Sequence, residues 1–338
     1  MVQPRLVNDV FGDAGLLLDF SFGRRAILFD IGDLGGLSAR EILRVRHVFV
    51  SHPHVDHFIG FDQLLRLLLH RDVEVTFFGP PGLLRAIESK LSAYTWNLLD
   101  NDSPDFVIHA CEWDLASRLT WRSFRARRRF CGEEMRDTIL QFNRIHEELG
   151  FHVEVEVLDH GTPSLAFAFQ EKLRVNVHKA NLEKLGLSVG PWLTKAKQLA
   201  RSAAARDILV TTNTGTPITL AELISSGAMA SGPGERVVYA TDLAFSDQNV
   251  ARLVGLARRA DYFFIEAGLK EDAALAASKK HLTARQAGEI AAASSVTRAI
   301  PMHFSPRYLG REEQLRLEFQ QAAWRADDRK DGSWRTGL

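Results

Sequence analysis

Short apolar runs, several alternating with polar positions, recur along the chain and predict β-strands. They are Gly15–Phe20, Ala26–Asp30, His47–Val50, Val73–Phe78, Phe151–Leu158, Leu165–Phe169, Asp207–Thr211, Val237–Ala240, Tyr262–Ile265 and Ala299–Met302. Apolar spacing of three and four predicts helices at Phe58–Leu69, Glu133–Leu149, Gln248–Arg259, Thr283–Ala293 and Arg311–Arg325. In the second of these Ile139, Phe142 and Ile145 mark the apolar side, and Thr283 reads as the cap of the fourth. The strands come in clusters with helices between them rather than in strict alternation, which favours helices outside packed sheets.

Composition narrows the class. The 338 residues are 46% hydrophobic and 25% charged, enough for a sizeable core, and show no internal repeat or low-complexity linker. A single domain over residues 1–326 with a polar tail at 327–338 is expected. The longest apolar run is far too short to span a membrane, no secretory signal is expected from the opening residues, and there are only two cysteines. A cytoplasmic protein without a disulfide framework is expected.

Basic and acidic residues balance at 42 each, so net charge does not call for a polyanionic partner. Locally, Arg122, Arg125, Arg127, Arg128 and Arg129 interleave with Trp121, Phe124 and Phe130. Arginine with aromatics suits single-stranded nucleic acid. Alternation over Leu119–Ala126 equally suits an edge strand with a solvated face, the favoured reading.

The strongest chemical signal is His52-Pro53-His54-Val55-Asp56-His57, between a predicted strand and a predicted helix. Imidazole nitrogen and carboxylate oxygen suit zinc and related divalent ions, and Pro53 restricts the loop so that His52 and His54 can face one centre. Asp56 and His57 lie one turn further on and can face a second. Four residues cannot complete two coordination shells. His160, Asp242 and His303 each follow a predicted strand, and Asp242 could bridge two cations with its two oxygens.

These motifs resemble the metallo-β-lactamase superfamily, and within it the ribonuclease Z group. Ser51–Gly60 resembles the superfamily's HxHxDH motif, and Phe29–Asp33 the motif before it, whose aspartate (Asp30) supports the ligand loop. Leu158-Asp159-His160, Ala240-Thr241-Asp242, Lys280-His281-Leu282-Thr283 and Pro301–Tyr308 resemble the group's later motifs, in order, over most of residues 15–320. The resemblance implies an αββα sandwich: two packed β-sheets with helices on both outer faces. It implies one divalent metal ion on His52, His54 and His160, a second on Asp56, His57 and His303, and Asp242 bridging them. Zinc is the expected metal, with manganese or iron as alternatives, and a homodimer is implied. The group's usual histidine before a Glu-Ala pair is replaced here by Ile265, and residues 113–150 are longer than the family pattern.

Such a site would lower the pKa of a shared water to about 7. Asp56 could orient that water, and His281 is the candidate proton donor to the leaving group. Gly190-Pro191 resembles the group's tRNA-gripping arm, placed here within residues 172–206, with Lys195 and Lys197 as its phosphate contacts. The expected activity is endonucleolytic removal of precursor tRNA 3′ trailers; the alternative is a small-molecule phosphodiesterase or esterase on the same scaffold.

Overall fold

The computed structural model describes residues 2–20, 23–201, 207–268 and 273–323. Residues before 140 build one sheet. In it β1 (Val2–Leu6), β2 (Leu16–Phe20), β3 (Ala26–Phe29), β4 (Val45–Phe49), β5 (Val73–Gly79), β6 (Phe106–Trp113), β7 (Arg118–Arg125) and β8 (Gly132–Glu134) lie side by side in chain order. β9 (Thr138–Ile139) also pairs with β7. Strands β3 to β6 are mutually parallel, so each connection must cross over. Helices α1 (Ala39–Ile42), α2 (Val55–Phe58), α3 (Phe61–Leu68) and α4 (Leu83–Ser92) make those crossings.

The second sheet begins with β10 (Arg144–Glu147), β11 (Phe151–Asp159) and β12 (Pro163–Glu171). An insertion follows: β13 (Leu173–Val177), α5 (Lys179–Lys184), α6 (Trp192–Arg201), β14 (Leu209–Thr211), β15 (Pro217–Thr219), α7 (Leu220–Ser225) and β16 (Met229–Pro233). The chain then returns through β17 (Arg236–Ala240), α8 (Asp247–Ala257), β18 (Tyr262–Glu266), α9 (Ala273–Lys279), α10 (Ala284–Ser294), β19 (Arg298–Met302) and α11 (Glu312–Ala323). The sheet order is β10-β11-β12-β17-β18-β19, with the last three strands parallel.

Side-chain alternation stacks these elements into layers. On β4, Phe49 points between the sheets with Phe29 and Phe78 to meet Phe151, Phe167 and Tyr239, while Val48 points outward onto the leucines of α3 and α4. On the second sheet Val238, Phe263 and Ile265 face outward onto α8, α10 and α11. The result is the expected αββα sandwich. The insertion from Leu173 to Pro233 closes its own small core on Val175, Leu182, Trp192, Val210, Leu223 and Met229, so it draws on residues well beyond 206.

One expected helix is absent. Residues 133–149 form β8, β9 and β10, because Ile139 and Phe142 are exposed and only Ile145 is buried. Phe142 and Asn143 both take positive φ in the tight turn before β10, which no helix tolerates, and open ladder positions on β7 and β11 take up the segment. Tertiary pairing overrode a coincidental three-residue spacing. The other helices form where expected, and Thr283 caps α10 through a reciprocal bond with Gln286.

The arginine-aromatic cluster also resolves. Phe124 and Phe130 are core residues, while Arg122, Arg125 and Arg128 pair with Glu88, Asp105 and Glu133. This is the solvated side of β7 and the turn after it, not a stacking platform; β7 is not an edge strand, since it pairs with β6 on one side and with β8 and β9 on the other. Among the described residues no helix is long and apolar enough to cross a membrane, and Cys111 and Cys131 are free thiols. The tail at 327–338 lies outside the described residues.

Gly32 marks where the loop after β3 crosses the turn into α2: a Cβ there would sit 2.3 Å from the Asp56 carbonyl oxygen and 2.4 Å from the Asp13 Cβ. Gly32→Ala is expected to cost roughly 1–3 kcal/mol by overpacking, read as a lower urea midpoint with unchanged slope. An unchanged midpoint would show that the two loops can separate freely.

Candidate metal centre

The candidate ligands gather at one end of the sandwich, several of them just past strand ends. His52 follows β4, His160 sits in the β11–β12 turn, Asp242 follows β17, and His303 follows β19. Asp30, Asp242 and His303 take left-handed backbone conformations, with φ of 56°, 51° and 54°. The chain bends there as it leaves the sheet, and holding such residues costs on the order of 1 kcal/mol each. Pro53 carries the chain in extended form to His54, which begins α2, and the first turn of α2 places Asp56 and His57.

Three groups of potential ligand atoms result: His52, His54, His160 and Asp242; Asp56, His57 and His303; and Asp242, Glu266 and His281, the atoms of each lying within 4.8 Å of one another. Asp242 Oδ2 is 3.5 Å from Nε2 of both His52 and His57 and 3.4 Å from Nε2 of His160. Its other oxygen is 3.0 Å from His303 Nε2. Nε2 of His52 and of His57 are buried with no hydrogen-bond partner, although each points at a carboxylate. Ligands about 2.0–2.1 Å from one tetrahedral ion lie roughly 3.3 Å apart, so this spacing fits a shared divalent cation better than direct hydrogen bonds.

The opposite ring nitrogens are fixed by the protein. His57 Nδ1 donates to Asp30 Oδ2 at 2.8 Å, and His160 Nδ1 donates to the Lys280 carbonyl at 2.7 Å. Asp30 is fully buried and also accepts bonds from the Ser51 amide, the Ser51 hydroxyl and the Tyr239 hydroxyl. It thereby joins the ligand loop to both sheets. Burial and the neighbouring imidazoles push His52 down to about 2, which keeps it neutral and able to ligate. The His57 ring, 3.5 Å from its carboxylate, holds Asp56 at about 2, ionised.

His281 reaches the same cleft. Its Nδ1 lies 2.7 Å from Glu266 Oε2 and 3.9 Å from Asp242 Oδ1. Burial opposes charge on this ring, but the hydrogen bond and charge of Glu266, together with the charges of Asp242 and Asp56, outweigh it and raise His281 to about 9. Glu266 escaped the sequence reading, as did Tyr239 and Ser51. The available signal was parity: Phe264 faces the inter-sheet core, so Glu266 shares its side of β18 while Ile265 faces the outer helices. A histidine at 265 would be buried against those helices, so the Ile265 departure leaves the cleft unaltered. The cleft, of about 310 Å³, is lined by Asp56, His281, His303, Lys279, Ser305 and Arg307.

Gly190 and Pro191 form the turn into α6, Lys195 is exposed, and Lys197 is half-buried in a separate cleft against the β12 end of the body.

Residues 137–304 match the family described as a beta-lactamase superfamily domain. The chain is 30% identical over 312 residues to a ribonuclease Z of Deinococcus radiodurans, covering 91% of each. It is 28% identical over 305 residues to a ribonuclease Z of Pyrococcus horikoshii, covering 86% of this chain and 80% of that relative. Its fold is similar to the short form of human tRNase Z, with a TM-score of 0.51, 17% identity and coverage of 91% and 92%. A metallo-beta-lactamase fold protein of Bacillus subtilis, YhfI, also gives 0.51, at 14% identity and coverage of 95% and 93%. With the layered fold, the ordered motifs and this relationship over nearly its whole length, the chain belongs to the ribonuclease Z family of the metallo-β-lactamase superfamily.

Proposed function

We propose that this chain is a dinuclear metal-dependent endonuclease that removes 3′ trailers from precursor tRNA. The observation that carries the reading is the position of Asp242 between the two proposed ligand sets, within 3.5 Å of Nε2 of His52 and His160 on one side and of His57 and His303 on the other, with His281 lining the same cleft. His52, His54 and His160 would hold one cation, Asp56, His57 and His303 the other, and Asp242 both. Such cations, when bound, supply an activated water and stabilise charge on a phosphoryl group; zinc is the proposed identity, with manganese or iron accepting the same ligands. Asp56, ionised and partly exposed, orients the attacking water through its free oxygen.

Lys279 and Arg307 line the cleft and supply positive charge for the scissile phosphate. His281, oriented by Glu266, donates a proton to the departing 3′ oxygen; its Nδ1 is engaged, which leaves Nε2 for the substrate. A donor must be protonated, so activity falls as pH rises through the His281 pKa. Glu266→Gln removes the negative partner that raises this pKa. The alkaline limb of kcat/KM should therefore move to lower pH, and a limb that stays put would show that His281 is not the donor.

The Gly190-Pro191 turn, Lys195 and Lys197 are the proposed tRNA contacts, with a homodimer as the working assembly. The test incubates metal-loaded protein with a 3′-extended precursor tRNA and, in parallel, with bis(p-nitrophenyl) phosphate. Cleavage at the trailer junction is expected, with kcat/KM for tRNA higher by orders of magnitude. In the Lys195→Ala, Lys197→Ala double variant, tRNA KM should rise and its logarithmic salt slope fall by about 2, with small-substrate turnover unchanged. Turnover of the small diester without tRNA cleavage would instead assign a small-molecule phosphodiesterase.

A further inference from the structure

A second histidine-carboxylate cluster lies away from the catalytic end. His47 is on β4, four residues before Ser51, so roughly 13 Å of extended chain separates it from the ligand loop. Like Phe49 it points between the sheets, where it meets His146 from β10 with ring centroids 4.4 Å apart. Phe78 and Phe151 wall the pair, and Glu148, just past β10, closes it. We propose that His47, His146 and Glu148 form a third divalent-cation site, which clamps the first sheet to the edge of the second.

The spacing supports this. Glu148 Oε1 lies 3.6 Å from His47 Nε2 and 3.2 Å from His146 Nε2, and the three ligand atoms fall within 4.8 Å of one another. These separations lie within the 3.0–3.8 Å found between imidazole and carboxylate atoms at the catalytic centre. The His47 ring has no hydrogen bond that would explain its burial: Nδ1 has no partner among the described residues, and 3.6 Å is too long at Nε2. Burial, followed by the neighbouring His146, pushes His47 down to about 3, so it is neutral and able to ligate. Arg25 binds the other carboxylate oxygen at 2.5 Å, which turns Oε1 toward the histidines.

Arg25 also fixes which cation would enter. Its guanidinium offsets the one anionic ligand, so the two imidazoles must dominate affinity. That favours zinc or cobalt over magnesium or calcium. A cation here would bridge β4 to β10, which among the described residues pairs within its sheet with β11 alone.

The test uses the full chain and does not depend on catalysis. In a His54→Ala, His160→Ala, Asp242→Asn background, which dismantles the catalytic ligand set, cobalt titration should still give visible d–d bands of one equivalent. Adding Glu148→Gln or His146→Asn should abolish those bands, and magnesium should not compete. In the otherwise native protein, His146→Asn should lower zinc content by one per chain while leaving hydrolysis intact. It should also remove part of the zinc-dependent rise in Tm. Absence of cobalt bands from the folded background protein would overturn the proposal, as would zinc content unchanged by both His146→Asn and Glu148→Gln. If one variant fails to fold, the other and the background titration still decide the matter. The outcome is separable from the catalytic reading, since loss of hydrolysis in the background leaves the cobalt signal to be read.

Discussion

Asp242→Asn is expected to lower kcat/KM on the order of a thousandfold or more and to release metal measurable by elemental analysis. Asn tolerates the left-handed backbone at this position, so the substitution changes charge with little strain. What it removes is the carboxylate that lies within 3.5 Å of His52, His57, His160 and His303 Nε2 atoms. Removing several kcal/mol of charge stabilisation corresponds to at least that factor in rate. Far-ultraviolet circular dichroism should be unchanged. A variant with full metal content and near-native rate would refute the bridging role of Asp242.

Asp30→Asn should act on stability as strongly as on activity. The Asp30 carboxylate accepts four bonds, from the Ser51 amide, the Ser51 hydroxyl, His57 Nδ1 and the Tyr239 hydroxyl. All lie in the buried layer between the sheets. A carboxamide presents one acceptor oxygen and an NH2 group, so at least one donor would face another donor. Breaking a buried charged network of this kind costs about 3–5 kcal/mol. Metal affinity should also fall about 10–100-fold, because His57 loses the partner that fixes its ring. Urea denaturation and competitive chelator titration would measure the two effects separately. A stability loss below about 1 kcal/mol would show that the network relaxes around the amide.

Both variants target positions that could be named before any fold was known. Asp242, His160 and His303 were legible because each follows a strand whose alternation is plain in the chain, and a residue just past a strand end has few directions to point; Asp30 was named through the motif resemblance. The run from His52 to His57 is local chemistry: Pro53 and a single helical turn orient its four side chains.

Glu266 was not legible in the same way. Its role depends on which side of β18 faces the cleft, and this follows from the parallel pairing of β17, β18 and β19. The same pairing decided that Ile265 is a packing residue against the outer helices. Residues 133–149 were misread for a related reason. Three-residue spacing is weak against a strand edge that offers backbone hydrogen bonds, and only the sheet reveals that the edge is there.

Thus the sequence by itself marked the strand clusters and the candidate ligand residues, since these rest on short-range spacing and alternation, while the αββα class came from the motifs' resemblance to a known superfamily. Tertiary structure alone decided which distant side chains became partners. Glu266 with His281, Tyr239 with Asp30, and His47 with His146 and Glu148 are separated along the chain and meet only when the two sheets pack. The reason is physical: alternation fixes a side chain's face locally, whereas the partner on that face is set by sheet order and register.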